Sequence, residues 1–160
     1  MLDIKVDDKA FRASLDRLYK GLGNLTPVMQ GIGQALESKV SERFETRTDP
    51  NGKNWAPWAS STIEGYPFPG SPAGAGKEGA GNARLLDRYG KMLGGLSHQA
   101  TATSVRVGFD EAYSAYHEFG SADMPRRGLL FANPDEGTLG AGDKVAVLDV
   151  LSKYLNDLNR

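Results

Sequence analysis

Residues 26–58 read TPVMQGIGQALESKVSERFETRTDPNGKNWAPW, and the fold class follows from how this stretch is parsed. Thr26-Pro27 supplies an N-cap hydroxyl followed by proline at the first helical position, where its missing N–H is harmless. Val28, Ile32, Leu36, Val40 and Phe44 then recur every four residues, slightly above the helical period, so the stripe drifts around a helix of about five turns. Gly31 and Gly33 weaken its first half by up to about 1 kcal/mol each relative to alanine unless a neighbour packs closely there. The helix is predicted to end between Thr46 and Asp49. Asp49-Pro50-Asn51-Gly52 is a turn: proline presets one φ angle and Asn-Gly tolerates positive φ. Trp55 and Trp58 follow at once, spaced so that both rings can lean on one surface.

Upstream, Leu2, Ile4 and Val6 alternate with Asp3 and Lys5, the period of a half-buried strand. Phe11, Leu15, Leu18, Tyr19 and Leu22 form a helical stripe ended by Gly21 and Gly23. Downstream, residues 65–82 read GYPFPGSPAGAGKEGAGN, a long flexible loop of a kind that is usually functional or orders on binding. A third helix of about three turns is predicted from Leu85, Leu86, Tyr89, Met92, Leu93 and Leu96, closed by Gly94-Gly95. Val105, Val107 and Phe109 alternate with Arg106 and Gly108, a strand expected to pair with Ser97–Thr101 as a hairpin. Tyr113–Phe119 is read as a short helix stopped by Gly120, Leu129–Phe131 as a brief buried strand or extended segment, and Val147–Leu158 as a final amphipathic helix. Helices flanking a few strands without βαβ alternation predict one α+β domain over residues 1–160, a small antiparallel sheet packed on amphipathic helices with a loop at about 65–82.

Composition excludes several classes. A net charge of −1, from 19 basic and 20 acidic side chains, lacks the electrostatic footprint of general nucleic-acid binding and leaves DNA contact only in passing. Zero cysteines remove disulfides, thiolate-ligated zinc and cysteine nucleophiles. No stretch approaches the roughly 18 apolar residues of a membrane span, and the first residues lack a secretory signal, so the chain is expected to be soluble and unexported.

Candidate chemistry is sparse. His98 and His117 are the only histidines and fall in no zinc-binding spacing. His117-Glu118 reads as an interface or core histidine orienting its short helix, against a metal or general-base role. Glu37, Glu42, Glu45 and Asp49 are interleaved with Lys39, Arg43 and Arg47, the pattern of a solvated helix face. The Gly-rich loop holds neither phosphate-binding fingerprint. Trp55 and Trp58 read as sealing the end of a helical layer or as anchors for a partner. Arg126-Arg127 reads as an exposed basic pair, solvated or bridged to a neighbouring subunit. No catalytic set, metal site or cofactor site emerges.

Three segments, in order, resemble the phage virion morphogenesis family of Mu-like and P2-like phages. Phe44–Thr62 is similar to that family's D-P-x-G-x-x-W-x-P-(Leu)-S-x-x-T signature, with Trp58 where leucine is usual. Tyr113–Gly120 is similar to Y-A-x-x-H-q-x-G. Met124–Leu130 is similar to (M/V)-P-A-R-P-(F)-L, Arg127 matching the arginine and Gly128 replacing the proline. A weaker echo lies at Leu86–Met92, where Tyr89 replaces a threonine. The resemblance implies a non-enzymatic structural subunit of tail completion or head–tail joining, in the virion neck after assembly in the host cytoplasm. Implied partners are other copies of itself in a ring, six being the number expected of tails, the tail tube or terminator, and head-connector proteins. Trp55, Trp58, Tyr113, Tyr116, His117, Phe119, Arg126 and Arg127 are the expected interface residues. The alternatives are a phage hydrolase or nuclease using His117 and Glu118, and an assembly chaperone that leaves the particle.

Overall fold

The computed structural model describes residues 17, 20–60, 85–86 and 90–158. The strand predicted at Leu2–Val6, most of the helix after it and the 65–82 loop lie outside these residues. The described elements are helix α1 (Thr26–Thr46), a single turn α2 (Lys91–Gly94), strands β1 (Leu96–Ala100) and β2 (Val105–Phe109), and helices α3 (Ser114–Phe119) and α4 (Ala141–Leu158). This is an α+β arrangement in which α1 packs on both the hairpin and α4.

Helix α1 begins one residue earlier than its capping pattern implied. Leu25 is the N-cap and gives no side-chain cap; the side chain of Asn24 instead accepts the Thr26 N–H at 3.1 Å. Pro27 still sits in the first turn, where it costs no hydrogen bond. The helix ends on Arg47 in the left-handed region at φ 58°, its N–H bonded to the Arg43 carbonyl. Val28, Ile32, Val40 and Phe44 are buried as the stripe predicted.

Both glycines in α1 have neighbours that use their missing side chains. A Cβ on Gly33 would lie 2.2 Å from the His98 ring on β1, and one on Gly31 would lie 3.1 Å from Val150 on α4. The helix-propensity penalty is therefore the counterpart of close approach on two sides.

β1 and β2 form an antiparallel pair, Leu96 opposite Phe109 through Ala100 opposite Val105, joined by a turn in which Thr101 Oγ1 accepts the N–H groups of Thr103 and Ser104. The third helix is shorter than predicted. Leu86 (φ 68°) and Gly90 (φ 72°) both take left-handed backbone, among the described residues of this stretch only Lys91–Gly94 is helical, and Leu96 is taken into the hairpin against Phe109. The helix ends at Gly94, where the Gly94-Gly95 pair predicts its close; the shortening lies at its start, where left-handed Gly90 is the N-cap. Leu129–Phe131 forms no strand; its main chain is held by side chains instead, as described below.

The core consists of Val40, Phe44, Trp55, Leu85, Met92 and Leu129, bordered by Trp58, Leu86, Leu93, Leu96, Phe109 and Leu130. Beside it, an apolar groove of about 630 Å³ runs between α1, β2 and α4. Its lining includes Arg43 and Asp143, whose side chains form a buried ion pair.

Helix α4 starts at Ala141, six residues before the predicted Val147. Gly140 precedes it because a Cβ there would stand 2.3 Å from the Pro50 carbonyl oxygen, a main-chain atom that cannot swing away. Gly140→Ala is expected to destabilise the domain by about 1–3 kcal/mol. Gly142, with open space around its Cα, should gain about 0.5–1 kcal/mol as alanine. Urea midpoints of the two variants should therefore move in opposite directions.

Candidate functional site

The turn after α1 is built as its sequence suggests. Asp49 Oδ1 accepts the N–H groups of Asn51 and Lys53, each at 2.9 Å, and Gly52 takes positive φ. Thr48 and Asn54 then pair across the turn, and the Trp55 N–H reaches back to the Arg47 carbonyl. The chain reversal drives the Trp55 ring edge-on into Phe44, centroids 5.6 Å apart, while its Nε1–H donates to the Gly128 carbonyl at 3.0 Å. Trp55 is only 6% exposed and is a core anchor. Trp58 is half-buried at the edge of the same cluster.

The second element is the short helix α3. Gly120, at φ 77°, stops it and turns the chain back; Ser121 and Met124 close the reversal by reciprocal main-chain bonds. The returning strand of chain is fastened to α3 from two directions. The Arg127 N–H donates to the His117 carbonyl at 2.8 Å, and Arg126 donates to the Glu118 carbonyl at 2.8 Å and to Glu118 Oε1 at 3.1 Å.

Glu118 is the hub. Buried, it accepts the main-chain N–H groups of Leu129 and Leu130, both at 2.7 Å, and of Phe131 at 3.2 Å. A carboxylate can accept about four hydrogen bonds, and here three backbone donors and one guanidinium supply them. This is how Leu129–Phe131 satisfies its main-chain N–H groups without a strand partner. Arg126 also donates to the Phe131 carbonyl.

Arg127 completes the circuit. Its guanidinium donates to the Ala56 and Pro57 carbonyls at 2.8 and 2.9 Å, and burial lowers its pKa from the ordinary value. The sequence pattern presents Arg126-Arg127 as an exposed basic pair. The structure instead buries Arg127 and half-buries Arg126, because the reversal after Gly120 carries both under α3.

The three segments singled out in the sequence are thus joined into one unit: Trp55 to Gly128, Arg127 to Ala56 and Pro57, and Glu118 to Arg126 and Leu129–Phe131. What this unit shows to solvent is the outer face of α3. Tyr116 is 62% and Phe119 58% exposed, and Tyr113 is also exposed. His117 lies half-buried beneath them, edge-on to Tyr113 at 6.4 Å. Among the described residues no cluster of three His, Cys, Asp or Glu side chains could hold a metal. The second histidine, His98, is spent on Glu37, Nδ1 to Oε1 at 2.9 Å.

The model of the phage virion morphogenesis family matches residues 6–156. The chain belongs to this family. No curated protein and no solved structure showed significant similarity to it. In this virion morphogenesis protein, Trp55 and Arg127, two of the residues that carry the family resemblance, are internal fasteners. Among the described residues no helix is long and apolar enough to cross a membrane.

His117 gives the unit a pH dependence. Burial, and secondarily the Arg127 charge, lower its pKa below the ordinary 6.5, so the folded state prefers neutral imidazole. The stability held by this preference is complete above about pH 6.5 and is lost as pH falls through the lowered value. The wild-type melting temperature should fall more steeply below pH 6.5 than that of His117→Asn. Parallel profiles would remove the histidine from the account.

Proposed function

We propose that this virion morphogenesis protein completes the phage tail at its head-proximal end, as a non-enzymatic tail-completion or head–tail joining subunit. The observation that carries the reading is the α3 face: Tyr116 and Phe119 in the helix and Tyr113 at its N-cap are solvent-exposed, on a scaffold of buried and half-buried hydrogen bonds. Exposed aromatic clusters on rigid supports are what interface anchors require. The proposed partners are neighbouring copies in a ring, expected to be a hexamer, together with the tail tube or terminator and the head connector. Heterologous contacts between identical subunits close such a ring. Tyr113, Tyr116 and Phe119 are the proposed contact residues, with Trp58 at the margin and the protein retained in the virion neck.

Phage produced without the chain should show separate heads and tails by negative-stain microscopy. In a complementation assay, Tyr116→Ala/Phe119→Ala should fold with an unchanged melting temperature yet lower the yield of joined particles by about a hundredfold. Normal virions in the absence of the chain would sink the proposal.

A further inference from the structure

Helix α4 carries two apolar stripes, and the described residues use one of them. Asp143, Val147, Val150 and Tyr154 lie on the packed side: Val150 fills the space over Gly31, and the Tyr154 hydroxyl donates to the Gly21 carbonyl at 2.7 Å. On the other side Ala141, Val145, Leu148, Ser152 and Leu155 are all exposed, Leu148 by 60%. Their spacing is four, three, four, three, the heptad seam of a two-stranded coiled coil. A surface helix with one buried face is expected to be polar opposite that face; α4 is not.

The charges flanking the seam select its occupant. In a parallel, in-register helix pair, a residue just before one seam position faces the partner residue five further on. Exposed Lys144 and Asp149 stand in that relation, so two copies would form two reciprocal Lys144–Asp149 pairs. An antiparallel pair would instead bring Asp149 towards its own counterpart and Lys144 towards Leu158. We propose that α4 pairs with α4 of a second copy, parallel and in register, through Val145, Leu148, Ser152 and Leu155. Three large apolar side chains over little more than two heptads bury less than the roughly 800 Å² per partner of a standard stable interface. The dimer is therefore weak and concentration-dependent, and Ser152 on the seam weakens it further while fixing register. The inference rests on the assembly reading for its use: a polar ring has no two-fold axis relating its subunits, so this dimer is the form of the free subunit, covering the seam before copies are taken up by the tail.

The absence of cysteine makes the test direct. In the purified full chain under mild oxidation, Ser152→Cys and Leu155→Cys should each give disulfide dimers, whereas Lys153→Cys, off the seam, should not. In sedimentation equilibrium, Lys144→Glu should weaken the dimer about tenfold, and Lys144→Glu/Asp149→Lys should restore it. A monomer at all concentrations, equal cross-linking at Lys153→Cys, or no rescue by the double reversal would each overturn the pairing. Missing dimers in a chain still required for joining heads to tails would remove this inference alone; normal joining without the chain would remove the assembly reading and leave the dimer standing.

Discussion

Asp143→Leu is expected to lower the unfolding free energy by about 3–5 kcal/mol, a drop of roughly 6–20 °C in melting temperature for a domain of this size. Asp143 and Arg43 are both buried, joined between α4 and α1 by an ion pair. Arg43 also donates to the Leu129 carbonyl, so one guanidinium ties both long helices to the segment that Glu118 organises. Removing the carboxylate leaves that guanidinium buried with only a neutral acceptor, and Arg43→Met leaves the carboxylate equally stranded. The double variant Arg43→Met/Asp143→Leu strands neither charge and suits the apolar groove that both residues line. It should be less destabilised than either single variant, and a double-mutant cycle by urea denaturation reads that coupling directly. Wild-type midpoints in both single variants would show that the pair contributes nothing to stability.

This pair marks where sequence reasoning fell short. Arg43 lies among Glu42, Glu45, Lys39 and Arg47, a mixed-charge run that reads as a solvated face; Lys39 and Glu42 do form an exposed pair there. Yet Arg43 directly precedes Phe44, and the drift of the four-residue stripe turns this flank of the helix inward as well. Asp143 escapes the sequence pattern because a last helix read from Val147 does not reach it. Running the packed spacing of Tyr154, Val150 and Val147 back by one turn lands on Asp143, so the signal was present, masked by a carboxylate in an apolar position. The α1 stripe, the Asp49–Gly52 turn, the presence of the hairpin and the Gly120 stop are legible because each depends on local chemistry. The destination of Arg127 is not legible, since a guanidinium's partners 70 residues away leave no local trace; Arg126 has its partners nearby, at Glu118 and Phe131, but only the reversal after Gly120 brings them into reach. The exposed aromatic set at Tyr113, Tyr116 and Phe119 was named from the sequence, but its separation from buried Trp55 and Arg127 required the fold.

Glu118→Ala should prove comparably damaging, and differently. The substitution strips an acceptor from three main-chain donors and from Arg126. Each buried donor left unpaired costs about 1–3 kcal/mol, and water entering the opened site recovers part of it, so a loss of about 3–5 kcal/mol is expected. Glu118→Gln keeps one oxygen for the amides but turns an NH₂ group towards donors, so it should recover only a fraction. The distinguishing measurement is amide hydrogen exchange. In Glu118→Gln, if it remains folded, Leu129, Leu130 and Phe131 should lose protection while the β1–β2 amides keep theirs, because the hairpin shares no bond with the carboxylate. Uniform loss across the domain would mean that Glu118 acts only through global stability. Local loss would mean that it specifically fastens the segment that keeps α3 and its aromatic face in position, and particle joining should then fall in step with protection at Leu129.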